Sequence, residues 1–251
     1  MEPGRPLTAR SQTVVEASRL HRARERKLRG DTLIEGPHVL GEAIRARADV
    51  KSVFALAGGE VPGDFDVIPV EPRALERIAG TETPRGPVAV IGIPSPRDEP
   101  RPGRLLVSWG VSDPGNVGTM IRTAAAFGWG FAYSEGTADP WSPKVLRAGA
   151  GLQFATWIGP VESVEDLRES GHSPIASVVD GGRHPSNLDV NRVALLIGEE
   201  ASGLPDRVVS TCDAQVTIPM PGGSESLNAA IAAGILVYSL SNHSGEGEVG
   251  V

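Results

Sequence analysis

The chain has 251 residues, enough for one large domain or two small ones, with 40% hydrophobic residues and so the makings of an ordinary core. It contains no run of 18 or more apolar residues, which excludes a membrane-spanning helix, and its basic, polar N-terminus does not read as a secretory signal. The net charge is −7, yet residues 1–30 carry +5 and leave −12 for the remainder. The basic run Arg19, Arg22, Arg24, Arg26, Lys27 and Arg29 suits an arm on phosphates, or equally a solvated helix face. Aromatic residues make up 4%, which argues against extensive base stacking. The single Cys212 cannot form an internal disulfide; a packing role and a reducing, cytoplasmic setting are the simple reading.

In chain order, residues 1–10 are expected to be disordered, and 11–29 to form a helix with Val14, Val15, Ala17, Ser18 and Leu20 among the charges. Thr32–Gly36 reads as a strand, and Pro37 opens a helix to about Arg47 with Val39, Leu40, Ala43 and Ile44 at helical spacing. Strands follow at Lys51–Ala57 and Asp66–Val70, then a helix at Glu71–Ile78 and a strand at Pro87–Ile93. This β-α-β-β-α-β order predicts a small α/β domain, bounded at 11–94. Four prolines within 94–103 mark a linker, taken as 95–103.

Beyond the linker strands and helices alternate, as in a mainly parallel sheet covered by helices, and the unit spans 104–243 with a flexible tail at 244–251. Strands are predicted at Arg104–Trp109, Gly130–Ser134, near Ala155–Ile158, and at Ile175–Asp180, Val193–Gly198 and Ala214–Ile218. Helices are predicted at Val117–Phe127, Ser142–Gly149, Val164–Glu169, Pro205–Val209 and Leu227–Leu240. The run Val-Ala-Leu-Leu-Ile at 193–197 implies a strand buried on both faces. In the last helix, Leu227, Ala230, Ile231, Gly234, Ile235 and Tyr238 keep the spacing of a core-facing stripe.

Three strand-loop-helix turns carry candidate chemistry. The first, 113–128, holds Asn116, which could merely cap its helix, and Arg122, which lies off the expected buried stripe of Met120, Ala124 and Phe127. Arg122 is either a solvated residue or a bidentate phosphate ligand. The second, 195–205, ends a strand at Gly198 and carries Glu200, which could do no more than favour a helix N-terminus. The third, Ile218-Pro-Met-Pro-Gly-Gly-Ser-Glu-Ser-Leu-Asn228, joins a strand end to a helix start through Gly222 and Gly223, with Ser224 and Ser226 ahead of Asn228. No dinucleotide fingerprint, P-loop, G-x-S-x-G elbow or metal-spaced Cys/His pair occurs, so no metal is expected.

Taken in order, these turns resemble the three motifs of the SpoU (TrmH) family of RNA ribose 2′-O-methyltransferases, over about 104–243. Leu33-Ile-Glu-Gly-Pro37 and Thr83-Pro-Arg-Gly-Pro-Val-Ala-Val90 resemble that family's ribosomal-protein-like substrate-binding domain. The resemblance implies an α/β trefoil-knot domain, a homodimer with the active site at the interface, and S-adenosylmethionine as cofactor. It implies cofactor contacts at Val179, Gly198, Ile218, Met220 and Leu227, and functional roles for Arg122, Asn116, Glu200, Ser226 and Asn228. Arg122 is the base proposed for the family, although guanidinium chemistry favours clamping a phosphate and stabilising an oxyanion. Arg22, Arg26, Lys27 and Arg29 would touch the RNA, ribosomal in the leading reading. A transfer RNA substrate and a non-catalytic RNA-binding or ribosome-assembly factor are the alternatives; a nucleotide-binding oxidoreductase lacks its fingerprint. Glu199 stands where the family has a small or amide residue, and Ala229 where Val is common.

Overall fold

A computed structural model describes residues 5–84, 86–96, 101–188, 191–222 and 226–242. Their contacts divide the chain into two compact units.

The first unit takes the described part of 1–95 together with 139–155. Its helices are α1 (Gln12–Ser18), α2 (Ala23–Arg29), α3 (Pro37–Arg45) and α4 (Pro72–Ala79); its strands are β1 (Asp31–Glu35), β2 (Val50–Ala55), β3 (Val67–Pro69) and β4 (Val88–Gly92). The sheet order is β1-β4-β2-β3, antiparallel except for the β2–β3 pair. Leu20, Leu33, Phe54, Leu75, Ile78 and Val88 fill its core, each fully buried side chain contributing about 1.5–3 kcal/mol.

Two expectations fail here. The helix over 11–29 is broken: residues 19–21 form a 3₁₀ turn and Arg22 is extended at φ −88°, ψ 128°. The reason is Arg26. Its Nη1 donates to the carbonyls of Leu20 (2.8 Å) and His21 (2.9 Å), groups that a continuous helix would have bonded internally. Residues 5–10 are also not without structure: Leu7 N–H donates to Pro69 at 2.8 Å, and Leu7 pairs with Val70 beside β3.

Segment 139–155, inside the span assigned from sequence to the second domain, packs within the first unit. It holds α6 (Pro143–Ala148) and a 3₁₀ turn at Leu152–Ala155. Asp139 pairs with Arg26, Thr32 Oγ1 donates to the Trp141 carbonyl at 2.6 Å, and Arg147 pairs with Glu35 at 3.1 Å.

The second unit has a six-stranded, wholly parallel sheet. Its strands are β5 (Arg104–Ser108), β6 (Gly130–Tyr133), β7 (Ile158–Pro160), β8 (Ser173–Ser177), β9 (Val193–Ile197) and β10 (Ala214–Val216), in the order β10-β8-β9-β5-β6-β7. Helices α5 (Pro114–Ala126), α7 (Val164–Glu169), α8 (Asp206–Val209) and α9 (Ala229–Asn242) complete it. Every residue of β9 is buried, as the continuous apolar run predicts for a central strand. The chain leaves β5 towards β6 on one side and leaves β9 towards β10 on the other, which makes the β9–β5 junction the switch point of the sheet.

Strand β7 lies later than predicted, and β8 ends at Ser177 instead of Asp180. Val178 N–H closes the β8–β10 ladder by donating to the Val216 carbonyl at 2.9 Å. The expected core stripe of α9 holds at Ala230 but fails at its larger residues. Ala229, Ala230, Ala233, Leu236, Val237 and Leu240 are buried, whereas Ile231 (55%), Ile235 (39%) and Tyr238 (57%) are exposed. Phe127, also expected inside, is 40% exposed and meets Tyr238 edge to face at 6.1 Å. The alanines let α9 lie close against α5, and the larger apolar residues are left outside.

Candidate active site

The loops after β5 and β9, on either side of the switch point, bring together residues far apart in sequence. Asp113 caps α5 by accepting from Asn116 N–H at 2.8 Å, so Asn116 is not the cap and its side chain is available for other partners. Asn116 Nδ2 donates to Glu200 Oε1 at 2.8 Å. Asn228 Nδ2 donates to Asn116 Oδ1 at 3.0 Å and also to Glu200 Oε1. The three side chains therefore form a closed hydrogen-bonded ring.

Asn228 has a second task. Its Oδ1 accepts from Ala230 N–H (3.0 Å) and Ile231 N–H (3.2 Å), which caps α9. One amide thus fixes the start of α9 with its oxygen and the ring with its nitrogen. Aspartate could supply only the first.

A cavity of about 370 Å³ adjoins this ring at the C-terminal ends of β8, β9 and β10. Val179, Gly198, Ile218, Met220 and Leu227, the five residues expected to hold a cofactor, all line it, as do Ser226 and Glu200. Gly198 is required by close approach: a Cβ there would lie 2.2 Å from the Gly203 backbone carbon. That contact folds the 198–203 loop back on itself, with Gly203 N–H donating to Glu199 at 2.8 Å. Gly223 and Ser224 of the third turn lie outside the described residues.

Arg122 is not brought into the ring. It is exposed on α5 and has no ion pair among the described residues. Ser112, Glu199 and Ser202 were missed by sequence reasoning as a group: Ser112 Oγ and Ser202 Oγ each donate to the Glu199 carboxylate at 3.1 Å, and Glu199 and Ser202 line the cavity. The departure at Glu199 was the only signal that could have drawn attention to it.

Among the expected RNA contacts, Arg22, Lys27 and Arg29 are exposed, and Arg29 also pairs with Glu25 at 3.4 Å. Arg26 must be removed from that set. It is 3% exposed and bound to Asp139, so its charge is spent inside the unit. Burial pushes the Cys212 thiol up to about 11, which keeps it protonated and unreactive at neutral pH. No group of His, Cys, Asp and Glu among the described residues is placed to hold a metal. Among the described residues no helix is long and apolar enough to cross a membrane.

A parallel α/β unit with a cavity at the C-terminal ends of three adjacent strands, beside a carboxylate-amide ring, defines a small-molecule-binding α/β enzyme architecture. Residues 103–238 match the model of the SpoU rRNA Methylase family, and 11–89 match the MRM3-like substrate binding domain. The chain belongs to the SpoU rRNA methylase family. It is 31% identical over 245 residues to the 23S rRNA (guanosine(2553)-2′-O)-methyltransferase RlmP of Bacillus subtilis, covering 93% of this chain and 97% of that protein. Its fold is similar to the SpoU methyltransferase AviRb from Streptomyces viridochromogenes in complex with AdoMet, with a TM-score of 0.82, 26% identity, and coverage of 94% and 100% of the two chains. The AdoMet-bound rRNA methyltransferase from Sinorhizobium meliloti gives a TM-score of 0.81 at 27% identity, covering 96% and 99%.

Proposed function

We propose that this chain is an S-adenosylmethionine-dependent methyltransferase that acts on a ribose 2′-OH of ribosomal RNA. The observation that carries the reading is the Asn116–Glu200–Asn228 ring set against the cavity. The cavity fits the cofactor. Its apolar wall of Val179, Ile218, Met220, Leu227 and Leu236 suits an adenine, and its only charged lining residues among those described, Glu199 and Glu200, suit a cationic ligand. Backbone groups of the 198–203 loop and of Ile218, Met220 and Leu227 would hold it, in a C-terminal segment folded as a trefoil knot.

Bound there, S-adenosylmethionine supplies an electrophilic methyl group. The residues of this chain would present the 2′-oxygen in line with the methyl–sulfur bond, which would break as the new C–O bond forms while the hydroxyl proton passes to solvent water. Glu200, fixed by two amide donors, orients the ribose, and Asn228 keeps that carboxylate in place while anchoring α9. Ser226 lies on the cavity edge, where it would contact the same ribose. Arg122 clamps the adjacent phosphate and stabilises the developing oxyanion.

The exposed position of Arg122 points to a homodimer in which one protomer's arginine serves the other's cavity. The apolar face of Phe127, Ile231, Ile235 and Tyr238, on α9 and at the end of α5, supports that arrangement. The N-terminal unit grips folded RNA through Arg22, Lys27 and Arg29, mainly by phosphate and shape. A ribosomal substrate places the enzyme in the cytoplasm. Incubation with methyl-labelled S-adenosylmethionine and total RNA tests the reading. Wild-type protein labels ribosomal RNA and the Arg122→Ala variant does not; wild type labelling no RNA above the variant would sink it.

A further inference from the structure

We propose that Glu199 sets the charge preference of the cofactor cavity, so that the cationic methyl donor is held more tightly than the neutral, demethylated product. The proposal rests on the methyltransferase reading above. Two carboxylates, Glu199 and Glu200, line the cavity, and no Lys, Arg or His among the described residues does. Neither carboxylate is in an ion pair among the described residues.

The two glutamates are committed differently. Glu200 accepts from two amides and faces the ring. Glu199 accepts from Ser112 on the loop after β5 and from Ser202 on the loop after β9, at 3.1 Å each. One hydroxyl on each oxygen fixes the carboxylate between the two loops and stops it swinging into solvent. Both hydroxyls are neutral, so the negative charge of Glu199 is not cancelled by a cation.

Donor and product share adenosine and the amino-acid tail. They differ by one methyl group and by the positive charge on sulfur, so discrimination between them must come largely from interactions that sense charge. A sphere of about 370 Å³ is roughly 9 Å across, less than the ~10 Å Debye length at 0.1 M salt. A charge held at the wall is therefore felt throughout the cavity. Once the methyl group has left, this attraction disappears and the product is released more readily.

Calorimetric titration of wild type and Glu199→Gln tests the proposal, with S-adenosylmethionine, S-adenosylhomocysteine and sinefungin as probes. Sinefungin carries an amine where the donor carries its S-methyl group, and so keeps a cation near that position. Glutamine keeps the shape and can still bond both serines, which makes it a charge-only change. In wild type the donor and sinefungin bind more tightly than S-adenosylhomocysteine. In Glu199→Gln both cationic ligands weaken by about fivefold while S-adenosylhomocysteine changes by less than about twofold. The Ser112→Ala/Ser202→Ala variant, which loosens the side chain but keeps its charge, retains more of the donor preference than Glu199→Gln. Equal weakening of all three ligands in Glu199→Gln, the signature of a loop clamp alone, overturns the proposal and leaves the methyltransferase reading standing. Failure of wild type to bind any of the three overturns that reading itself.

Discussion

Arg26 belongs to the basic run that suggests an RNA-binding arm, yet it is a buried brace, and its removal should register as lost stability. Its Nε donates to Asp139 Oδ2 at 3.1 Å with Nη2 closer still, and its Nη1 donates to the Leu20 and His21 carbonyls. Truncation to alanine takes a donor from two carbonyls and leaves Asp139 unpaired. Breaking a fully buried pair costs about 3–5 kcal/mol. The Asp139 side chain is 32% exposed, so water recovers part of that, and about 2–4 kcal/mol remains. For a chain of this size that is a fall of about 5–12 °C in melting temperature. Arg22→Ala and Lys27→Ala, at exposed positions, should stay within about 0.5 kcal/mol of wild type. Thermal and urea unfolding followed by circular dichroism measure all three. RNA binding, measured well below the melting range, should reverse the order: weakened by the Arg22 and Lys27 changes and unaltered by Arg26→Met. An Arg26→Ala protein that melts with Lys27→Ala would refute the reasoning.

Other residues give separate tests. Asn228→Asp keeps the α9 cap but places a second carboxylate beside Glu200, so kcat/KM should fall by about 100-fold while melting changes by only a few degrees; equal melting losses in Asn228→Asp and Asn228→Ala would contradict the dual role. Burial holds the His172 imidazole below its usual value, the Arg192 and Arg101 charges add to this, and the bond to the Pro102 carbonyl opposes it. The unfolded chain therefore binds the proton more readily: the stabilisation is full above about pH 6.5 and is lost as pH falls through the lower folded value. Urea midpoints at pH 7 and pH 5 should show a steeper acid loss in wild type than in His172→Gln. Ile231→Glu with Tyr238→Glu should convert a dimer to a monomer in analytical ultracentrifugation while leaving the fold intact, since both side chains are more than half exposed. A wild-type monomer at micromolar concentration would remove the dimer from the account.

The three motif turns were legible because each is local: a strand that stops, a glycine, and a helix that starts. Their order in sequence carried the family resemblance, and that resemblance nominated Asn116, Glu200 and Asn228, which the fold brings into one ring. What sequence could not show was set by tertiary contact. The 11–29 helix has adequate local pattern, but Arg26 captures its carbonyls and breaks it. Helix α9 is apolar nearly all round, so its spacing could not say which face is core. Close packing on α5 chose the small alanines, and the Ile231–Tyr238 stripe stayed outside. Segment 139–155 reads as one more step in a strand-helix alternation, and nothing local marks its packing with the N-terminal unit. Glu199 looked like a neighbour of the functional glutamate, because its serine partners lie 87 residues away and three residues on.

The central claim is methyl transfer to a ribose 2′-oxygen, and a single property of the product tests it most directly. The free 2′-OH is the nucleophile that cleaves RNA in alkali, so methylating it makes the adjacent phosphodiester resistant. Ribosomal RNA labelled by this protein with methyl-tritiated S-adenosylmethionine should, after complete alkaline hydrolysis, yield its label in an alkali-resistant dinucleotide, and the Glu200→Ala protein should yield far less. Label recovered in mononucleotides, as base methylation would give, or no label in RNA at all, would contradict the account.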